Sequence, residues 1–319
     1  MKAAWDWHLP RETETEQREL VEFVDGCGFD TLIINNPTHT MLSRGRELGL
    51  KVVAIVKPPT ADDLSEPDPE SRQRMLPVEE ELAGTLARGV PRGYQECSFR
   101  WYPLFQSAEL LCFESPVARE LLETRVREAL QRANGIAFDG FGFRNHYACF
   151  CPRCEEMRTN REKRGEDLSD VEVLTATSED SLINLSTHIY DFAKAINPDA
   201  VVTNHLWPPF RPNPYYGHRL KLDYCSQTIS WFYRPVWSLA RVELEAKEMK
   251  QREDPETNRF VPFIGLHDRP GMVRPPERIN EELAIARRYG EGNLVFCTLS
   301  AVKAHSEIRK VLQDALKKD

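Results

Sequence analysis

Val52-Val53-Ala54-Ile55-Val56 and Gly135-Ile136-Ala137-Phe138-Asp139 decide the fold of this chain. In neither run do polar residues alternate with apolar ones. Such runs are buried on both faces, as strands are in a parallel sheet covered by helices. The same rhythm extends outward from them. Upstream, Ala3–Trp7 and Thr31–Ile34 read as strands. Between them a helix opens on a capping box of Thr13 and Glu16 and buries Leu20, Val21, Phe23 and Val24. A second helix, Met41–Leu48, is closed by Gly49. Ser115-Pro116 starts a helix with a cap and a first-turn proline, and Leu121, Leu122, Val126, Ala129 and Leu130 form its apolar stripe.

Downstream, a helix over 178–196 stops at Asn197-Pro198. Val201–His205 is a fifth strand, and Leu222–Trp231 holds a sixth, followed by a charged helix, Leu239–Met249. Phe260–Leu266 is a seventh, weakened by Pro262, which lacks a ladder donor. A helix over Pro276–Tyr289, a strand over Asn293–Cys297 and a helix over Ser306–Leu316 complete the series. Eight strand–helix alternations predict one α/β domain over residues 1–319, a (β/α)8 TIM barrel. An open doubly wound sheet would carry a Gly-rich phosphate loop after its first strand, and none is present. Residues 58–107 break the rhythm. Rich in Pro, Asp, Glu and Arg, they are too long for an ordinary connection and read as a loop or small subdomain over the barrel mouth.

With 319 residues, 41% of them hydrophobic, the chain can bury a sizeable core. A formal charge of −8 argues against nucleic acid as partner, which needs clustered Lys and Arg. It suits an enzyme acting on a neutral or cationic small molecule. No stretch approaches the roughly 20 apolar residues of a membrane span. Met1–His8 has no apolar signal region, so the expected location is cytoplasmic. Eight cysteines in so long a chain are not a disulfide framework, and reduced thiols fit a reducing compartment.

Three of those cysteines stand in Cys149-Phe150-Cys151-Pro152-Arg153-Cys154, ten residues after Asp139. Thiolates converging in a proline-broken turn suit a tetrahedral Zn²⁺, with a fourth ligand from elsewhere. Four thiolates close the site, so the zinc is structural and not catalytic. A [4Fe–4S] cluster fits this spacing poorly.

The stretch from Gly135 to Phe141, the cysteine turn with Glu155-Glu156-Met157-Arg158, and Gly165-Glu166-Asp167-Leu168 together resemble the barrel domain of zinc-bearing β-galactosidases and related glycoside hydrolase-like proteins. In that family a C-x-C-P-x-C turn after strand four binds structural zinc with one upstream cysteine. The resemblance implies Cys112 as fourth ligand with Cys149, Cys151 and Cys154, and Cys97 as the fallback. Related barrels often assemble, so a homo-oligomer is a further implication. The family carries Asn-Glu at the end of strand four and a nucleophilic Glu at the end of strand seven. Here those tips read Asp139-Gly140 and His267-Asp268, so β-galactosidase activity is not implied. Phe138-Asp139-Gly140 is instead similar to retaining α-glycosidases such as α-L-fucosidases, whose nucleophile is an Asp at that tip.

The expected function is cleavage of a glycosidic bond by strand-tip carboxylates, with a carbohydrate as partner. Asp139 is the expected nucleophile or substrate anchor, although Asp-Gly is also a common turn. Asp268 is the favoured second carboxylate, and its plainer role is a loop salt bridge to Arg269 or Arg274. Asp6 and Glu114 are the other candidates for that role. His8, Asn204, His205 and His267 fall at strand tips and are expected to hydrogen-bond substrate. Trp5, Trp7, Trp207, Trp231 and Trp237 fall near these tips and are expected to stack on sugar, with at least Trp5 or Trp7 filling core instead. The alternative is a non-catalytic carbohydrate-binding barrel. Catalytic zinc would need an H-x-H or H-E-x-x-H pattern, and neither occurs. The basic run Arg158–Arg164 reads as a solvated helix face.

Overall fold

The computed structural model describes residues 1–7, 9, 11–66, 68–74, 110–139, 149–165, 170–206, 217–232 and 236–316. Eight parallel strands close into a barrel in sequence order. They are β1 (Lys2–Asp6), β2 (Thr31–Ile34), β3 (Lys51–Val56), β4 (Gly135–Asp139), β5 (Val201–His205), β6 (Tyr224–Ser230), β7 (Arg259–Gly265) and β8 (Leu294–Cys297). The described helices are α1 (Glu14–Gly26), α2 (His39–Leu48), α3 (Pro116–Arg132), α4 (Pro152–Lys163), α5 (Asp170–Ile196), α6 (Leu239–Gln251), α7 (Pro276–Tyr289), α8 (Leu299–Ala304) and α9 (Ser306–Leu316). The fold is the predicted (β/α)8 barrel. Among the described residues no helix is long and apolar enough to cross a membrane.

Local chemistry follows the sequence closely. Thr13 and Glu16 form the expected capping box on α1. Gly49 ends α2 in the left-handed conformation that glycine adopts without strain. Ser115 caps α3 by position, but its hydroxyl donates to Ser71 and not to the helix. Pro262 is accommodated inside β7, paired in register with Gln227. Two readings need correction. Helix α5 begins eight residues earlier than expected, at Asp170, and the short helix α8 was missed. Leu110 and Leu111, just past residues 58–107, bridge to Thr60 and Arg72 near the start of that stretch. Residues 75–107, with Cys97, lie outside the described residues.

The register of β4 on β5 matters most for function. Gly135 pairs with Val201 and Asp139 with His205, so the last residues of the two strands stand side by side. Gly135 makes that approach possible, because a Cβ there would lie 2.2 Å from the Val201 carbonyl oxygen. The obstacle is backbone and cannot rotate away. Gly135→Ala is therefore expected to cost about 3 kcal/mol, the upper end of overpacking penalties. A urea midpoint unchanged in that variant would contradict this account of the β4–β5 seam.

Candidate active site

Asp139 ends β4 with its side chain mostly covered, 13% exposed. Its Oδ2 accepts a 2.8 Å hydrogen bond from the Trp7 indole Nε1. Its Oδ1 lies 3.5 Å from His205 Nδ1 and, among the described residues, takes no aligned hydrogen bond. The other nitrogen of His205, Nε2, is 2.8 Å from the Thr228 hydroxyl on β6. The imidazole stacks on Phe263 of β7, with centroids 3.9 Å apart and planes at 14°. Trp5 of β1 packs on both, at 5.4 Å from His205 and 5.6 Å from Phe263. Strands β1, β5 and β7 are not neighbours in the sheet, so these rings meet across the barrel interior. Trp7 and Phe232 close the group above them, 5.9 Å apart.

Supports reach this group from outside. The buried Arg274 donates to the carbonyls of Trp231 and Gly265, the mouth ends of β6 and β7. Glu282 of α7, fully buried, balances its charge at 3.0 Å. Phe232 lies flat over Gly265, where a Cβ would come within 2.6 Å of its ring.

Burial holds the His205 imidazole below its usual range, and Asp139 offsets part of that effect. A base with a depressed folded pKa binds fewer protons when folded than when unfolded. Its contribution is full above the ordinary histidine value, about 6.5, and is lost as pH falls below it. The urea midpoint should therefore drop between about pH 7.5 and 5.5, and His205→Gln should show a smaller drop. An equal drop in both proteins would mean that other groups carry the acid sensitivity.

The structure distributes the expected site residues unevenly. Asp139 and His205 come together. Asn204 precedes His205 and so points outward. It lines a small cavity with Leu122, Leu182, Leu185 and Ile189 of the helix layer, and its amide oxygen accepts from Ser226 N. Trp5 and Trp231 are fully buried core side chains that offer no face to a ligand. Asp6 is buried too, its oxygens accepting from the backbone N–H groups of Leu9 and Ser300. Glu114 sits in the helix layer, bound by Arg119 and Ser181. Asp268 is exposed beyond β7 and pairs at 3.0 Å with His305, between α8 and α9, and not with an arginine. His267 beside it is half-buried. His8 and Trp207 lie outside the described residues. Thr228, Phe232 and Arg274 were not expected. For Thr228 the signal is the polar Ser226-Gln227-Thr228 run inside a barrel strand, and Phe232 and Arg274 carry none.

The four cysteines form a second centre. Cys112, Cys149, Cys151 and Cys154 are buried, with sulfurs all within 4.8 Å of one another and no disulfide. Cys112 lies 3.5 Å from both Cys151 and Cys154. Tetrahedral zinc–thiolate bonds of about 2.3 Å place sulfurs about 3.8 Å apart, so the donor set fits a metal ion. The Arg74 N–H points at Cys149 Sγ, 3.3 Å away, as outer donors do toward metal-bound thiolates. Contact with Cys112 first, then with Cys149 and Cys154, holds the Cys151 thiol far below its usual range. The centre ties three segments: Cys112 N–H donates to Ser71, Phe150 N–H to Arg74, and Arg158 to the Cys149 carbonyl.

No protein-family model and no curated protein matches the sequence. Solved structures do resemble it. The glycoside hydrolase domain of PgaB (BpsB) from Bordetella bronchiseptica superposes with a TM-score of 0.61 at 12% identity, covering 100% of this chain and 99% of that one. A β-galactosidase from the Antarctic haloarchaeon Halorubrum lacusprofundi gives 0.60 at 13%, covering 100% of this chain and 58% of that one. The catalytic domain of a β-amylase from Paenibacillus polymyxa gives 0.53 at 9%, covering 99% of each. At such identities the likeness is one of fold: this chain is a (β/α)8 barrel of the kind those glycoside hydrolases share, with a four-cysteine cluster formed by Cys112 ahead of β4 and Cys149, Cys151 and Cys154 after it.

Proposed function

We propose that the chain is a glycoside hydrolase-like enzyme that cleaves a glycosidic bond with carboxylates at barrel strand tips. The observation that carries this reading is Asp139 at the end of β4, flanked by Trp7 Nε1 and His205 Nδ1. Two donors suit a carboxylate that carries negative charge, either as nucleophile on the anomeric carbon or as anchor for a sugar hydroxyl. Asp268 is kept as the proposed second carboxylate from its position just beyond β7. Cleavage needs such a partner about 5 Å away for retention, or about 6.5–9.5 Å away for inversion. Trp7, half-buried, is an aromatic surface for the C–H face of a sugar. Zn²⁺ is the proposed occupant of the cysteine centre. Bound there, it supplies no chemistry to the reaction and joins the segments around Cys112 and Cys149. A cytoplasmic, reducing setting is part of this proposal, since it keeps thiols available to a metal.

A second reading is a carbohydrate-binding barrel without activity. It is favoured by Asp6, whose oxygens accept backbone N–H groups, and by the exposed Asp268–His305 pair. A reducing-end assay over α- and β-linked polysaccharides separates the two. Release of new ends supports the hydrolase. Retention on a polysaccharide column without release supports the binding protein.

A further inference from the structure

Expected to touch substrate, the His205 side chain is instead fully buried. It lies under Trp5, Trp7 and Phe232 and on Phe263. A side chain so covered acts on a substrate only through another residue. Its two nitrogens have distinct neighbours: Asp139 Oδ1 at 3.5 Å from Nδ1, and the Thr228 hydroxyl at 2.8 Å from Nε2. A neutral imidazole has one donor and one acceptor, and the bond at one nitrogen decides which is which. A carboxylate oxygen only accepts. A hydroxyl donates or accepts as required. The single assignment that serves both contacts puts the proton on Nδ1, toward Asp139, and has Thr228 donate to Nε2.

We infer that His205 is a positioning residue for Asp139: the Thr228 hydroxyl fixes the imidazole in its Nδ1–H tautomer, and that N–H holds Oδ1 while Trp7 holds Oδ2. Trp7 holds Oδ2 at 2.8 Å, and alignment of the 3.5 Å contact would hold Oδ1 as well and stop the carboxylate turning about its last bond. Oδ2 keeps a second lone pair for a sugar carbon or hydroxyl, while Oδ1 is buried. Stacking on Phe263 fixes the ring plane, so the aim of the N–H comes from packing as well as from Thr228. The 3.5 Å contact is loose, as such contacts often are before substrate binds, and is expected to tighten in the complex. Burial disfavours the imidazolium, so the donor is neutral and its contact with Asp139 survives across neutral pH. The inference rests on the hydrolase reading for its catalytic meaning, but not for its test.

The test is ¹⁵N NMR of the full chain with labelled histidine at neutral pH, the His205 signals being those lost in His205→Gln. The expected wild-type spectrum has a pyrrole-like Nδ1 and a pyridine-like Nε2. Thr228→Val should remove that preference, and Thr228→Ser, which keeps the hydroxyl, should restore it. A wild-type Nε2–H tautomer, an imidazolium, or a preference unchanged in Thr228→Val would overturn the inference. The wild-type spectrum needs no variant, so a poorly folded Thr228→Val does not leave the matter open. With a panel of 4-nitrophenyl glycosides, Thr228→Val should lower kcat by about 10- to 100-fold with little change in KM, the range for a partner that orients another group. Wild-type inactivity on the whole panel would count against the hydrolase reading, while the tautomer would still decide this inference.

Discussion

Asp139→Asn is expected to abolish turnover and leave the barrel folded. The substitution keeps the size of the side chain and replaces one oxygen by an NH₂. It removes the charge that faces Trp7 Nε1 and His205 Nδ1 and, with it, the attacking or anchoring oxygen. Residues that act on the reacting atoms cost roughly 10⁴-fold or more in kcat when altered. The side chain is only partly exposed and packs beside rings that stay in place, so the urea midpoint should shift little. Kinetics and unfolding measured on the same preparation check both halves. Full activity in the variant would remove Asp139 from the chemistry. Lost activity with lost folding would leave only a structural role.

Cys151→Ser is expected to have the largest effect on stability. Its sulfur meets Cys112 at 3.5 Å in a cluster of four buried thiols, where a serine hydroxyl is a poor ligand and a poor apolar filler. Loss of the metal centre should cost about 4 kcal/mol, in the range reserved for broken metal sites and buried networks. Tm should fall by roughly 6 °C. Elemental analysis should find one zinc per chain in the wild type and none in the variant. The damage should be local, with faster amide exchange over residues 68–74, 110–113 and 149–158, the segments that the cluster ties together. Cys27→Ala, a buried thiol outside the cluster, should keep its zinc. A wild-type chain without metal and with unchanged Tm in Cys151→Ser would refute the site.

The barrel was legible because its strands carry their own signal. Val52–Val56 and Gly135–Asp139 are apolar throughout, and helices capped by Thr13, closed by Gly49 or stopped at Asn197-Pro198 announce their ends. Helix α8 was not legible, since six residues after a strand carry no full period of apolar spacing. Strand tips were legible as positions, but not the directions of their side chains. Asn204 and His205 looked equivalent, and the alternation of the strand sends one to the helix layer and the other into the barrel. Trp5 and Trp7 share a face, yet depth separates them, the first filling core and the second meeting Asp139. The pairs that define the site join remote positions: Trp7 with Asp139, His205 with Thr228, Asp268 with His305. No local pattern encodes them, because they arise only when the barrel closes. The cysteine turn was visible at once, and Cys112 joined it through the resemblance rather than through spacing.

The mass spectrum of products formed from a polysaccharide panel in H₂¹⁸O, with wild type and Asp139→Asn side by side, tests the central claim most directly. The account predicts shorter oligosaccharides with ¹⁸O at the new reducing end from the wild type, and none from the variant. Uncleaved chains from a zinc-loaded wild type that still binds them, or equal labelled products from both proteins, would contradict it.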